Sequence, residues 1–180
     1  MVIVNPEDYN LVYTDQFFFD TNVWILLFAT IADYQTKDQK MYSKFLENLI
    51  RKDLPIFITS NILSEFSNVL LRRDFNQWKP KSGLIEPKFK ENFVGSSEYV
   101  NSVHSINSYI KNIFSIPNII KISDDFSALN LDNILKNFLL IDYNDSCIAE
   151  LCEIKNLKLV TNDNDFKRIN PKITIITSQI

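Results

Sequence analysis

Short apolar runs alternate with longer amphipathic stretches along this chain. Each run is continuous and is bounded by polar residues, a pattern typical of strands buried on both faces of a parallel sheet. The runs predicted as strands are residues 16–19, 55–59, 118–122 and 157–161, and an edge strand is expected at 172–177.

The stretches between these runs carry apolar residues at intervals of three or four positions, which favours helices that cover a sheet with one face. Helices are predicted at residues 38–52, 60–73, 97–113, 127–138 and 144–155, and another begins near Val23. Strands that alternate with helices predict an α/β fold, in which a parallel sheet is wrapped on both faces.

Two segments depart from this rhythm. Residues 1–15 are interpreted as an N-terminal extension, because residues 5–8 are rich in turn formers, and residues 16–180 as a single domain. Residues 75–97 contain two prolines and both glycines of the chain, so we expect an insertion there that is a loop or partly helical.

Composition narrows the classes of function. The 19 basic and 22 acidic side chains give a net charge of −3, so a nucleic-acid partner must be met by a local patch. Two cysteines, Cys147 and Cys152, are expected to be buried free thiols in a reducing cytosol. The N-terminus lacks a signal-peptide pattern and no apolar run approaches the roughly 20 residues of a membrane span, so a cytoplasmic protein without membrane contact is expected.

Acidic residues fall where the strands of the predicted sheet end. Asp20 follows the first strand directly, and Asp163 and Asp165 follow the strand at 157–161. Asp145 opens the helix that leads into that strand, and Glu65 lies early in the helix after the second strand. Because ligands of open parallel sheets bind beyond the carboxyl ends of the strands, we expect these acids to meet there.

A cluster of carboxylates repels itself unless a cation neutralises it. Mg²⁺ and Mn²⁺ prefer carboxylate oxygens, and two such ions about 4 Å apart can activate water and stabilise the leaving oxygen of a phosphodiester. Each acid also has a structural interpretation: Asp20, Asp145 and Asp163 as helix caps or turn residues, and Glu65 as a solvated side chain.

Four segments resemble the motifs of the PIN-domain nuclease family. The sequence Asp20-Thr21-Asn22 after an apolar strand resembles the first motif, and residues 59–66, with a glutamate early in a helix, resemble the second. Residues 145–151 resemble the third motif, an aspartate that opens an apolar helix, and residues 159–166 resemble the last, Leu-Val-Thr-x-Asp-x-Asp-Phe. Together the resemblance spans about residues 16–170.

The resemblance implies a three-layer α/β/α sandwich around a mostly parallel sheet and hydrolysis of RNA that depends on Mg²⁺ or Mn²⁺. It implies a catalytic and metal-binding quartet made of Asp20, Glu65, Asp145 and Asp163. Asp165 would be an auxiliary metal ligand, and Asn22 and Thr161 would hold the carboxylates in place. Asp142 competes with Asp145 for the third position of the quartet.

The resemblance also implies partners. Many small bacterial members are toxins of type II toxin–antitoxin modules, which are inhibited by an antitoxin protein and are commonly homodimers. The length of this chain, its insertion and Asn162 depart from the compact toxins. The alternative is a catalytically silent PIN module that serves as an RNA- or protein-binding subunit. A phosphatase of the haloacid-dehalogenase type is disfavoured because Asn22 stands where that chemistry needs a second aspartate.

A local basic patch provides candidate RNA contacts. Residues 72–90 contain six basic and two acidic side chains, a local net charge of +4. The candidate contacts are Arg72, Arg73, Lys79 and Lys81, and the interleaved rings that can stack a base are Phe75, Trp78 and Phe89. The alternatives are a solvated loop or a surface on which an antitoxin docks.

Overall fold

Parallel strands form one six-stranded sheet in the computed structural model, which describes residues 1–29 and 37–179. The strands are β1 (Val2–Val4), β2 (Phe17–Phe19), β3 (Ile56–Ile58), β4 (Ile119–Lys121), β5 (Lys158–Val160) and β6 (Thr174–Ile176). Their order across the sheet is β1-β6-β5-β2-β3-β4, and every neighbouring pair is parallel. This sheet confirms the predicted α/β fold.

The helices of the described residues form two groups. They are α1 (Thr21–Phe28), α2 (Lys37–Arg51), α3 (Ser60–Trp78), α4 (Ser97–Phe114), α5 (Leu131–Phe138) and α6 (Tyr143–Ile154). Helix α1 contacts α2, α3 and α4, whereas α5 packs on α6. Helix α3 continues five residues beyond its predicted end at residue 73, because Phe75 extends the buried face begun by Phe66 and Leu70.

Side-chain alternation along β2 separates the two helix groups. The rings of Phe17 and Phe19 face one way, where Phe17 lies 5.7 Å from Phe45 of α2 and Phe19 lies 5.1 Å from Trp24 of α1, between ring centroids. Phe18 faces the other way and lines a cavity together with side chains of α6. Successive residues of a strand point to opposite faces, so the sheet lies between two helical layers as predicted.

The N-terminal segment contributes to the sheet. Val2–Val4 pairs with Thr174–Ile176 and forms an edge strand within the segment that the sequence predicts as an extension. The prediction that residues 172–177 form an edge strand is therefore wrong in its position, because β6 lies between β1 and β5. The turn predicted at residues 5–8 is present, since the Asp8 amide donates to the Asn5 carbonyl at 3.0 Å.

The segment at residues 75–97 contains short helical turns around a small aromatic core. A 3₁₀ turn covers Lys79–Lys81 and a π-helical turn covers Phe89–Phe93. Phe93 is fully buried, with Phe75 and Trp78 at 5.5 and 5.4 Å between ring centroids. Within the described part of the chain, no helix is both long and apolar enough to cross a membrane.

Candidate active site

Asp20 is fixed at the point where β2 ends and α1 begins. Its backbone amide donates to the Val160 carbonyl of the neighbouring β5 at 2.9 Å. Its carboxylate caps α1 by accepting from the Thr21 amide at 2.6 Å, and it accepts a second hydrogen bond from the Thr161 hydroxyl at 2.8 Å. Because only 4% of Asp20 is exposed, both its position and its orientation are determined by the sheet.

Thr161 is the centre of the hydrogen bonds around Asp20. Its hydroxyl oxygen accepts from the Asn22 side-chain amide at 3.4 Å and from the Asp163 backbone amide at 3.0 Å, while its proton goes to Asp20. A hydroxyl has one donor and two acceptor positions, so Thr161 is fully satisfied. The Asn22 carbonyl oxygen accepts from the Asn162 amide at 3.0 Å. Asn22 and Thr161 therefore lie where they can orient Asp20 and Asp163.

Glu65 reaches the same edge from α3, through side chains alone. Its carboxylate accepts from the Thr21 hydroxyl at 3.0 Å and from the side-chain amide of Asn144. Asn144 in turn accepts from the side-chain amide of Asn61. The sequence analysis missed Asn61 and Asn144. Their signal is that both lie in the first turn of a helix whose N-terminus meets the carboxyl edge of the sheet.

Asp142 and Asp145 have different environments, although both lie at the start of α6. Asp142 is the exposed N-cap, and its carboxylate accepts from the Asp145 amide at 2.9 Å. The structural interpretation of Asp145 as a cap is therefore wrong. Asp145 is only 8% exposed, and within residues 1–29 and 37–179 its carboxylate accepts no hydrogen bond. A carboxylate in this position depends on water or on a cation to satisfy its oxygens.

Three acids of the quartet, Asp20, Glu65 and Asp145, have raised pKa values. The pKa of Asp145 is raised to about 8, first by burial and then by the nearby charges of Asp20, Asp142, Asp163 and Glu65. Burial likewise raises the pKa of Asp20 to about 7, with Thr161 opposing the shift and Glu65 and Asp163 adding to it. The pKa of Glu65 is raised by burial and by the charge of Asp142. The quartet inferred from the motifs is therefore one electrostatic group.

Asp165 lies apart from this group. Asp163 accepts from the Asp165 amide at 2.8 Å in a local turn, but the Asp165 carboxylate pairs with Arg168 at 3.3 Å. Asp165 is also absent from the acids that act on the pKa of Asp145 or Asp20. The structure thus brings together the four acids of the quartet but not the auxiliary acid.

The carboxylate oxygens of the quartet are ligands that suit a hard divalent cation. The spacing of these carboxylates, however, leaves an open site. Within the described residues, no group of three or more His, Cys, Asp or Glu side chains is close enough to hold a metal ion. Mg²⁺ commonly keeps several waters and binds through one or two protein carboxylates together with substrate phosphates. The residues therefore fit an ion that is shared with water and substrate rather than one enclosed by a complete protein cage.

The two arginines of the basic segment make contacts within the protein. The Arg72 guanidinium lies 4.2 Å from the centroid of the Phe89 ring. The Arg73 side chain pairs with Asp74 at 3.0 Å and donates to the Ala29 carbonyl at 2.7 Å. Arg73 is therefore tied to the end of α1, whereas Arg72 is exposed on its ring.

The lysines and rings of that segment differ in accessibility. Lys79 and Lys81 are exposed, and the Lys79 ammonium lies 5.5 Å from the Phe75 ring centroid. Phe75 is buried in the small aromatic core, so its ring is not available to stack a base. Trp78 is half-buried against Phe93. Of the four predicted RNA contacts, Arg73 is thus tied into an ion pair, and Arg72, Lys79 and Lys81 are exposed.

Comparison with known proteins identifies the family. The sequence model described as the PIN domain matches residues 17–171, which is most of the chain, and the chain therefore belongs to the PIN domain family. No curated protein sequence matches the chain.

Three solved structures are similar to the fold. VapBC2 from Rickettsia felis, bound to a DNA fragment from its promoter, has a TM-score of 0.52 at 19% identity and covers 89% of this chain and 97% of its own. DNA-bound VapBC from Salmonella typhimurium has a TM-score of 0.49 at 15% identity, with 91% and 98% covered. PAE2754 from Pyrobaculum aerophilum has a TM-score of 0.45 at 13% identity, with 90% and 84% covered.

Proposed function

We propose that this member of the PIN domain family is a divalent-metal-dependent endoribonuclease that hydrolyses RNA phosphodiester bonds at the carboxyl edge of its sheet. One observation carries the proposal: acids from four separate chain segments lie at a single edge of the sheet, where burial and neighbouring charges raise the pKa values of Asp20 and Asp145. A protein that did not bind a cation there would be more stable with neutral side chains in these positions.

The residues of such a site would have different roles, either binding the cation or orienting a carboxylate. Bound Mg²⁺ or Mn²⁺ would supply a Lewis acid that activates water and offsets negative charge on a phosphodiester. Asp145 and Asp20 would hold the ion, and Thr161 keeps one Asp20 oxygen oriented through its hydroxyl proton. Thr21 and Asn144 orient the Glu65 carboxylate in the same way. Asp163 completes the negative cluster from the end of β5.

The cellular role that we propose is that of a toxin in a toxin–antitoxin pair, in the cytoplasm, with an antitoxin protein and a second copy of the chain as partners. This part of the proposal rests on the resemblance of the four sequence motifs to small bacterial toxins of the family. The similar fold of VapBC2 is consistent with it.

The alternative function is a catalytically silent PIN module that binds RNA or protein. It is favoured by the open geometry of the acids, since no three of them in the described residues converge closely enough to hold an ion. The two functions differ in whether the purified protein cleaves RNA when a divalent cation is present.

The test is cleavage of a mixed RNA substrate with Mn²⁺ or Mg²⁺, with EDTA, and with the double variant Asp20→Asn/Asp163→Asn. We expect cleavage that requires the cation and is lost in EDTA and in the double variant. Asp53→Asn is a matched control, because Asp53 is exposed at the amino edge and asparagine tolerates its positive φ of 51°. Cleavage that persists in EDTA or in the double variant would contradict the proposal.

A further inference from the structure

A cavity lies beside the acid site on the α6 side of the sheet. It has a volume of about 440 Å³ and is bounded by the carboxyl ends of β3 and β4 and by one face of α6. Its inner wall is apolar and contains Phe18, Ile148 and Leu151. At its mouth lie two accessible rings, Phe126 and Tyr143, which are 60% and 40% exposed.

The cavity lies next to a groove that reaches one acid of the site, Glu65. A neighbouring groove of about 490 Å³ contains Glu65 and Asp142. The walls shared by the cavity and the groove are formed by Asn61, Ser64, Tyr143 and Asn144. The groove at Glu65 and the cavity therefore adjoin each other across these side chains.

A row of hydrogen-bonded side chains joins the two spaces. Asp124, at the polar rim of the cavity, accepts from the Ser60 hydroxyl and from the Asn61 backbone amide, the latter at 3.2 Å. The Asn61 side chain donates to Asn144, and Asn144 donates to Glu65. The rim thus presents a carboxylate, a hydroxyl and two amides within one continuous network.

The position of Phe126 is determined by the turn before it. Asp125 has a φ of 48°, in the left-handed region, and its amide donates to the Ser123 hydroxyl at 3.1 Å. The Asp125 carboxylate forms an ion pair with Lys155, the residue that caps the C-terminus of α6. The backbone of Phe126 is therefore held at the mouth of the cavity by a turn that is ion-paired to the end of α6. The ring of Phe126 itself is largely exposed to solvent.

We infer that this cavity binds one unstacked nucleobase of the RNA substrate, next to the phosphodiester that is cut; the inference rests on the proposed function. A base is flat and apolar on its faces, which suits the rings of Phe126 and Tyr143. Its edge carries N–H donors and carbonyl acceptors, which suit the Asp124 carboxylate and the amides of the rim. The negative charge of Asp124 favours the N–H donors of a base over a phosphate at this rim.

A cysteine in the wall provides a direct assay. Cys147 lines the cavity and is half-buried, whereas Cys152 is 0% exposed. The prediction that both thiols are buried is therefore confirmed for Cys152 but not for Cys147. Maleimide modification of the folded protein at pH 8 in EDTA should therefore report on Cys147. The probes are AMP, GMP, CMP and UMP, each compared with ribose 5-phosphate and with N-acetylarginine amide.

We expect at least one nucleotide to slow the modification of Cys147 several-fold, with ribose 5-phosphate having no effect. Phe126→Ala should remove this protection, and Tyr13→Ala, which changes a 91% exposed ring at the opposite edge of the sheet, should retain it. Absence of protection by every nucleotide, or equal protection by ribose 5-phosphate, would overturn the inference. Protection by the arginine amide alone would also overturn it and would assign the cavity to a protein side chain.

Cut-site mapping separates this inference from the proposed function. On a random RNA pool, Asp124→Ala should change the base preference beside the cut several-fold while the enzyme still cleaves. Cleavage with unchanged preference in both Asp124→Ala and Phe126→Ala would overturn the base cavity alone. Nucleotide protection of Cys147 in a protein that cleaves no RNA would instead contradict the nuclease proposal and leave base binding supported.

Discussion

The two halves of the candidate site are built in different ways. Asp20, at the end of β2, is bonded to backbone and to Thr161 and is 4% exposed. Glu65, on α3, is half-buried and is oriented by the side chains of Thr21 and Asn144, beside an open groove. The β2–β5 half is thus preformed by the sheet, whereas the α3–α6 half depends on side-chain conformations. This difference suggests that Asp20 of the first half holds the cation together with Asp145 of α6, whereas Glu65 and Asn144 adapt to the substrate.

The largest effect should come from Asp145, which lies between the halves and accepts no hydrogen bond within the described residues. Asp145→Asn should lower metal-dependent RNA cleavage on the order of 10³-fold, because it removes a cation ligand worth several kcal/mol of transition-state stabilisation. It should also raise the melting temperature in EDTA at pH 8, since a buried charge without partners is lost.

Asp142→Asn is the matched control for that variant. Asparagine caps helices as well as aspartate does, so α6 should persist and cleavage should fall far less than in Asp145→Asn. Equal losses in the two variants would contradict the assignment of the third acid to Asp145.

The next largest effect tests directly whether the two halves of the site have different roles. Thr161→Val removes the hydroxyl that serves Asp20, Asn22 and Asp163, and we expect Mn²⁺ affinity to fall about 10- to 100-fold. Asn144→Ala should leave Mn²⁺ affinity within a few-fold of the parent and raise the KM for RNA. Calorimetry measures the first quantity and steady-state kinetics the second, with Thr161→Ser as the conservative control. An equal effect of both variants on Mn²⁺ affinity would mean that the halves do not differ.

A smaller effect is expected on the way in which the stability of the folded protein changes with pH. The pKa values of Asp20 and Asp145 in the folded protein are raised to about 7 and about 8, from about 4 in the unfolded chain. The folded state then binds more protons than the unfolded state between these values, so this contribution to stability falls as pH rises from about 4 to 8. Melting temperatures in EDTA should show that decline, and Mn²⁺ should reduce it. A decline of the same size in the Asp20→Asn/Asp145→Asn double variant would contradict this origin.

The smallest effect should come from the exposed lysines of the basic segment. Lys79→Gln and Lys81→Gln should each weaken RNA binding by a few-fold, and each should reduce the slope of log affinity against log salt by about 1 if the lysine contacts a phosphate. Lys44→Gln, an exposed lysine of α2, is the matched control. An unchanged slope in both variants would remove this segment from the RNA-binding surface.

Most strands and helices were predictable because local patterns specify them. Apolar runs mark β2, β3, β4 and β5 within one or two residues, and the carboxyl-edge rule brings Asp20 and Asp163 together in a parallel sheet. Strand β1 was not predictable in this way. Its three residues gain their only partner strand some 170 positions along the chain, and such a non-local pairing leaves no local signal.

Side-chain roles were harder to predict than positions. Asn144 and Asn61 belong to the site only because their amides point along one row toward Glu65, which a pattern of residue types does not specify. Phe75 was predicted to be available for a base, but the small core of residues 75–97 buries it. The different environments of Asp142 and Asp145 likewise follow from which of them caps α6.

Titration calorimetry with Mn²⁺ tests most directly whether Asp145 and Asp20 hold a cation at the acid cluster. At pH 7, in two buffers of different ionisation enthalpy, we predict binding with proton release, because Asp145 and Asp20 have raised pKa values and retain protons without a cation. Both the binding and the release should be lost in Asp145→Asn. Absence of binding in the parent protein, or binding without proton release that persists in Asp145→Asn, would contradict the claim.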